Sequence, residues 1–275
     1  MKSLLIHFKV SVKYSLFIVA GLIIFTWLIE TPAVILGKAD AIGYAVCHRI
    51  DVRSFHIGIR QFPLCVRCTG QYMGAFIGLL FQGLFTRRRS GFLPKRVLVL
   101  LSLLFLAYAV DGLNSYLYLP PFLEVFPGMP HLYEPSNVLR LFTGTGMGMI
   151  IALILYPAIV GSVFINPDVQ PAIVGVKSLL IVVGLGILLD FLILTGSIYI
   201  LYPAALISAG VVILLLTMAY TIIGLRLFHK ENQFTKISQC LLPVTFGFTI
   251  TIAQIAIFDL IRFIITGTWS GLVFG

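Results

Sequence analysis

Seven apolar runs recur along this chain, each close to the roughly 20 residues a helix needs to cross the hydrocarbon of a bilayer. They extend from Tyr14 to Leu36, Gly70 to Phe85, Val97 to Leu117, Val138 to Ile159, Ser178 to Ile200, Ala204 to Leu227 and Ile237 to Ile265. Lipid offers no hydrogen bonds to a bare backbone, so such runs must close their bonds internally, as helices. The expected fold class is therefore all-α: an integral membrane helical bundle of about seven transmembrane helices. Charged residues make up 11% of the chain and hydrophobic ones 59%, whereas a soluble domain is about 25% charged. Pro203 separates the fifth and sixth runs with almost no loop, which predicts a tight hairpin broken there. The motif-bearing region is expected at 1–160, four spans plus the loop 37–69, followed by three further spans at 161–275. No internal repeat is visible.

Basic residues in short loops orient a membrane protein, with the excess on the cytoplasmic side. With the N-terminus inside, that side holds Lys2, Lys9, Lys13, Arg87, Arg88, Arg89, Lys95, Arg96, Lys177, Arg226, Lys230 and Lys236, twelve of the 19 basic residues. Lys38, Arg49, Arg53, Arg60, Arg67, Arg140 and Arg262 fall on the other side. The expectation is N-inside and C-outside, in the cytoplasmic membrane. The net charge of +9 resides in these loops, so the expected partners are membrane lipids, with their anionic headgroups, and not nucleic acid.

The stretch CHRIDVRSFHIGIRQFPLCVRC, from Cys47 to Cys68, holds three of the four cysteines. Cys47 and His48 are adjacent, and Cys65 and Cys68 form a C-x-x-C element, so three thiolates and an imidazole can make a tetrahedral zinc site. His56 or an aspartate from a helix is an alternative fourth ligand, because His48 directly after Cys47 is sterically tight. Two competing accounts remain open. On the outer side thiols oxidise, so two of the cysteines could close a structural disulfide. Cys65 and Cys68 could instead be a redox-active pair. Cys240 is expected to be an apolar filler. The arginines of the loop, Arg53 and Arg67 above all, suit an anion clamp, since guanidinium forks bind phosphate and carboxylate bidentately. The plainer account is a basic loop resting on headgroups.

Ionisable groups inside a membrane need a partner or a function. Asp111 and Asn114 lie three apart on the third run, and Asn137, Arg140 and Thr143 repeat that spacing on the fourth, which puts each set on one helical face. Asp111 is about 21 Å beyond Val97 at 1.5 Å per residue, on the same side as the cysteine loop. Asp259 and Arg262 reach that level on the seventh run. These groups are expected to line one outward-facing polar pocket, or else to neutralise each other as Asp111–Arg140 and Asp259–Arg262 pairs. Gly70, Gly74 and Gly78, with Gly144 and Gly148, have the four-residue spacing that lets helix backbones approach closely.

The elements CHRIDVRSF, PLCVRCTGQYMGAFIG, the DG of the third run and NVLRLFTG resemble a family of prokaryotic predicted multi-pass membrane proteins of unknown function, domain of unknown function 2085, over about Cys47 to Gly148. The resemblance implies that Cys47, His48, Arg53, Ser54, Cys65, Arg67, Cys68, Thr69, Gly70, Asp111, Gly112, Asn137, Arg140, Thr143 and Gly144 are pattern positions. It names no reaction.

The residues point first to a metal-supported site at the outer leaflet that acts on a lipid or isoprenoid headgroup by hydrolysis or transfer. Its expected metal ligands are Cys47, His48, Cys65 and Cys68, holding zinc. Asp111, Arg140, His48 and Asn137 are the candidate catalytic groups. Arg53, Arg67, Asn114 and Thr143 are the candidate substrate contacts. The alternatives are a thiol–disulfide or quinone-linked oxidoreductase and a transporter of a small solute or ion.

Overall fold

The computed structural model describes residues 2–126, 128 and 131–271, with side chains from residue 14 onward except at 120, 121 and 123. The side chains of Lys2, Lys9 and Lys13, invoked above for orientation, lie outside the described residues. The helices are α1 (Lys2–Glu30), α2 (Ile35–Val46), α3 (Val66–Phe85), α4 (Lys95–Leu117), α5 (Pro120–Val125), α6 (Asn137–Val163), α7 (Val176–Leu194), α8 (Ile198–Leu227) and α9 (Leu241–Thr266). An antiparallel hairpin, β1 (Ser54–Ile57) with β2 (Arg60–Cys65), joins α2 to α3. A short parallel pair, β3 (Arg89–Gly91) with β4 (Asp168–Pro171), closes the opposite end of the bundle.

Among the described residues, α4, α6, α7, α8 and the stretch Ile237–Thr266 are long and apolar enough to cross a membrane, five helices in all. Tyr14–Glu30 and α2 form a sixth span if counted together, although they are bent by 106°. The structure thus changes three details of the sequence reading. The first run is not one straight helix. Pro32 cannot extend α1, and Val34 turns the chain with a left-handed φ of 63°. Lys38 then reaches back to the carbonyl of Thr31 at 2.9 Å and its hydroxyl at 2.8 Å, closing the end of α1 with a cation. The second run, as α3, carries Thr69, Gln71 and Gln82 among its glycines and is not among the five. It packs instead against α6, α7 and α8. The hairpin between α7 and α8 turns at Gly196, at φ 69°, while Pro203 lies inside α8. Only a glycine adopts that left-handed turn without strain, whereas a proline in the second turn of a helix removes a single hydrogen bond.

Among the described residues, α3 and α6 form the most extensive helix–helix contact. A Cβ built on Gly74 would stand 2.1 Å from the Thr145 carbonyl oxygen, and one on Gly148 would stand 1.8 Å from that of Gln71. The two backbones touch where their glycines face each other, as small residues permit in a membrane. Gln82 ties the far end of this seam by donating to the Ala152 carbonyl at 2.9 Å. Ser136 caps α6 by accepting the Leu139 amide at 3.2 Å, which places Asn137 and Arg140 in its first turn.

Because no side chain fits at Gly148, Gly148→Val should force α3 and α6 apart and destabilise the detergent-solubilised protein by about 1–3 kcal/mol or more. Gly184→Ala, at a glycine with nothing within 4 Å, should leave thermal unfolding unchanged or slightly improved. Equal melting of the two variants would contradict this packing.

Candidate functional site

The cysteine loop is built as a lid on one end of the bundle. Its hairpin pairs Ser54 with Cys65 and Ile57 with Arg60, turning at Gly58, φ 63°. Phe62 and Leu64 point inward and are fully buried, and the Pro63 carbonyl presses against Gly43 of α2. Arg262, late in α9, holds the loop from below. Its guanidinium donates to the carbonyls of Tyr44 and Cys47, both at 2.6 Å, and of His48 at 3.2 Å, and stacks 4.0 Å from the Tyr44 ring centroid. Asp40 of α2 binds both Arg49, at 3.1 Å, and Arg60. A guanidinium bonded to three carbonyls converts a flexible loop into a fixed floor.

On that floor the sulfurs of Cys47, Cys65 and Cys68 all lie within 4.8 Å of one another. All three are free thiols, and Cys47 and Cys65 are buried. The Cys47 sulfur accepts the backbone amide of Cys65 at 3.3 Å and that of Arg49 at 3.4 Å. Arg49 reaches this position with a left-handed φ of 51°, a conformation uncommon outside glycine. Hydrogen bonds from the Cys65 and Cys68 thiols hold the Cys47 thiol well below its ordinary pKa, against the opposing effect of burial. The Cys65 thiol, donating to Cys47, is pushed up to about 12. A sulfur that accepts two backbone amides and two thiols is in a setting that favours the thiolate, the form in which cysteine binds a metal. Three sulfurs at about 2.3 Å from one tetrahedral ion stand about 3.8 Å apart, a spacing the cluster accommodates.

His48 stands apart from the three-sulfur group. Its Nδ1 accepts the Ile50 amide at 3.2 Å, so the neutral ring carries its proton on Nε2 and has no lone pair free for a metal in this arrangement. Burial holds the imidazole below its ordinary pKa, with the charges of Arg53, Arg67 and Arg262 acting the same way and Cys47 opposing them. His56, the other histidine considered, pairs with exposed Asp51 at 3.0 Å. Cys240 packs with Val160, Val163, Phe164 and Leu225, as the sequence suggested for an apolar filler.

Beside the thiols lies a second cluster. Asp111, 1% exposed, accepts Arg67, the Tyr133 hydroxyl at 3.1 Å and the Thr143 hydroxyl at 3.1 Å. Arg67 also donates to the Ser115 hydroxyl at 2.9 Å, and Arg53 to the Ser115 carbonyl at 2.9 Å. Arg140 donates to Asn137 at 2.8 Å, and Asn137 in turn donates to the Val52 carbonyl of the loop at 3.2 Å. Neither ion pair considered from the sequence forms. Asp111 is taken by Arg67, from the first turn of α3, in place of Arg140, whose guanidinium turns to Asn137. Asp259 accepts Trp27 Nε1 at 2.8 Å, while Arg262 turns to the loop carbonyls. Asn114 binds the backbone of Leu132 and Tyr133 at 3.0 and 2.8 Å, so its amide secures the α4–α6 connection. Tyr133, Ser115 and Asp40 were not singled out from the sequence. Asp40 alone carried a signal there, as an acid in an apolar helix preceding a basic loop.

The fold and site together define a multi-pass membrane protein with a cysteine cluster at one end of its helices. The chain belongs to the family described as Predicted membrane protein (DUF2085), whose model matches residues 47–154. That segment holds all three clustered cysteines as well as Arg53, Arg67, Asp111 and Arg140. An uncharacterized protein of Methanothermobacter thermautotrophicus is 33% identical over 109 residues, which cover 40% of this chain and 83% of the relative. An uncharacterized protein of Methanocaldococcus jannaschii is 25% identical over 112 residues, 41% of this chain and 62% of the relative, so the match spans less than two thirds of that protein. No solved structure matches.

Removing the Asp111 charge leaves Arg67 buried without its carboxylate. Asp111→Asn should therefore destabilise the protein by about 3 kcal/mol, as breakage of buried pairs does. Ser115→Ala, which removes one hydroxyl contact, should cost about 1 kcal/mol. Thermal unfolding in one detergent ranks the two, and a reversed order would show that Asp111 does not organise the cluster.

Proposed function

We propose that the three-sulfur cluster holds a thiophilic divalent metal, zinc by preference, in a multi-pass protein of the cytoplasmic membrane. In this reading the metal braces the loop over a polar pocket on the extracytoplasmic side, where an anionic lipid or isoprenoid headgroup is bound for hydrolysis or transfer. The observation that carries the reading is the mutual proximity of Cys47, Cys65 and Cys68, with two backbone amides aimed at one sulfur. A soft thiolate set selects zinc over magnesium or calcium. Cys47, Cys65 and Cys68 would hold the ion, and a fourth position would fall to water, substrate oxygen or another ligand. An oxidoreductase would use two of the sulfurs as a disulfide and leave the third without a role, so three-way proximity favours the metal.

The division of labour follows from the hydrogen bonds. Asp111 already accepts three donors, so it positions Arg67 and is not a free base. His48, neutral with its proton on Nε2, can donate a hydrogen bond from Nε2 to a leaving oxygen and so stabilise charge that develops there. Arg53 and Arg140 are the groups with donors to offer an anion. Of the seven basic residues on the site's side, Lys38, Arg49, Arg60 and Arg262 hold the loop and helix ends while Arg53, Arg67 and Arg140 face the pocket, so N-inside orientation remains compatible with the twelve on the other side.

Purified wild-type protein should carry about one zinc per chain, and Cys65→Ser should lower zinc content at least tenfold. A wild-type protein that lacks zinc and, denatured, shows a disulfide between two of the three cysteines would falsify the metal reading. Orientation has its own check. Ile59, fully exposed at the hairpin turn, as Ile59→Cys should react with a membrane-impermeant maleimide on intact cells. Labelling only after lysis would place the loop in the cytoplasm.

A further inference from the structure

We infer that Arg53 and Arg140 bind the phosphate of a membrane lipid with a net-anionic head, its chain lying in the groove between α4 and α6. The inference rests on the proposed function for the pocket's position and its anionic lipid headgroup, which it narrows to a phosphate held by these two arginines, and it requires no metal.

The first observation is a charge imbalance. Arg53 and Arg140 are 8% and 7% exposed, and Arg140 is close enough to Arg53 and Arg67 to feel both as like charges. Asp111 is the one carboxylate ion-paired with any of the three among the described residues, and its partner is Arg67. Arg53 and Arg140 have no ion pair there. Their hydrogen bonds go to a neutral carbonyl and a neutral amide, and the Nε of Arg140 is buried with no partner. A guanidinium has five N–H donors, so most of the capacity of both side chains is free. Two buried cations without an anion are strongly unfavourable, and an incoming anion relieves them. The thiol cluster does not serve instead. A divalent metal on three thiolates has a single net negative charge, and Arg49 and Arg262 share that field from the Cys47 side.

The second observation is the shape beside these cations. A groove of about 360 Å³ runs between α4 and α6, walled by Leu103, Leu106 and Val110 and ending at Asp111, Tyr133 and Thr143. Leu103 and Leu106 are each 57% exposed on the lipid-facing side of the bundle. Neither Arg53 nor Arg140 lines the groove itself: its polar end is Asp111, neutralised by Arg67, and Thr143, which follows Arg140 by one turn of α6. An apolar trough that closes at this ion pair, one helical turn from Arg140, fits an amphiphile whose anionic head reaches past the pair to the two arginines. Phosphate matches it best, because a tetrahedral group with several oxygens can take forks from two guanidiniums at once. The phosphate could arrive on a lipid or as the free ion, and the groove favours the lipid.

The full-length protein in nanodiscs, or in detergent with added lipid, can be assayed by native mass spectrometry and by thermal shift. The probes are phosphatidate, phosphatidylcholine and inorganic phosphate, with zinc content measured on every sample. Phosphatidate should bind and stabilise in preference to phosphatidylcholine. Arg140→Gln and Arg53→Gln should each weaken it about tenfold, the scale of one charge-assisted hydrogen-bond set. Leu106→Trp, a lipid-facing change compatible with folding, should weaken phosphatidate without changing zinc. Inorganic phosphate should compete only weakly. Phosphatidate affinity unaltered by both arginine variants overturns the inference, as does failure to discriminate phosphatidate from phosphatidylcholine in a protein that carries zinc. Inorganic phosphate binding as tightly as phosphatidate, with Leu106→Trp silent, overturns the lipid assignment. Phosphatidate bound selectively by a protein without zinc supports the inference and removes the metal reading alone.

Discussion

The backbone contact between α3 and α6 is the constraint on which the site depends. Gly144 meets the Arg67 carbonyl so closely that a Cβ there would stand 2.2 Å from its oxygen. That contact fixes the first turn of α3, with Cys68 and Arg67, against the first turns of α6, with Arg140 and Thr143. Lipid gives helices no hydrophobic reason to associate, so close packing and interhelical polar bonds supply the attraction. Glycines bring the axes together, Gln82 to Ala152 adds a hydrogen bond along the seam, and Thr143 to Asp111 ties α6 to α4. The cysteine loop, hung between α2 and α3, inherits its position from this pair.

Electrostatics then divides the end of the bundle into two halves. On the α2–α9 side, Arg262 stacks on Tyr44 and grips the backbone of the loop, while Asp40 balances Arg49 and Arg60. On the α4–α6 side, a single carboxylate faces three guanidiniums. The thiols lie between the halves, with amide donors aimed at the Cys47 sulfur. The first half acts as a frame, because Asp40 bridges two guanidiniums and Arg262 is taken by the carbonyls of Tyr44, Cys47 and His48. In the second half Arg53 and Arg140 keep most of their donors free, and that separates a binding pocket from a packing motif.

Much of this could be read from residue order. Apolar runs without charge gave a membrane bundle, and glycines four apart on two runs foretold their close approach. The C-H and C-x-x-C elements marked the sulfurs as one group, and the periodic placement of Asp111, Arg140 and Thr143 put them at the level of the loop. Other features were hidden for identifiable reasons. Whether Asp111 would pair with Arg67 or Arg140 depends on how the first turns of α3 and α6 meet α4, and that packing is not written in periodicity. Arg262 looked like a partner for Asp259 three residues away, but its long side chain reaches the loop carbonyls, and Trp27 from α1 takes the acid. Asn114 has the spacing of a pocket residue and is instead fully engaged by the backbone of Leu132 and Tyr133.

The amino-acid order settled what depends on local composition: the solvent the chain must face, the helical character of its apolar runs, and the identity of its reactive groups. Folding in three dimensions settled everything that depends on distances between residues far apart in the chain. It bent the first run by 106° at Pro32 and Val34 and drew α3 inside the bundle. It gathered residues 47, 65 and 68 into one cluster and withdrew His48 from it through a single bond to the Ile50 amide. The physical reason is common to all of these: a helix's period dictates which of its faces a residue occupies, but only packing against a particular neighbour dictates what that face meets.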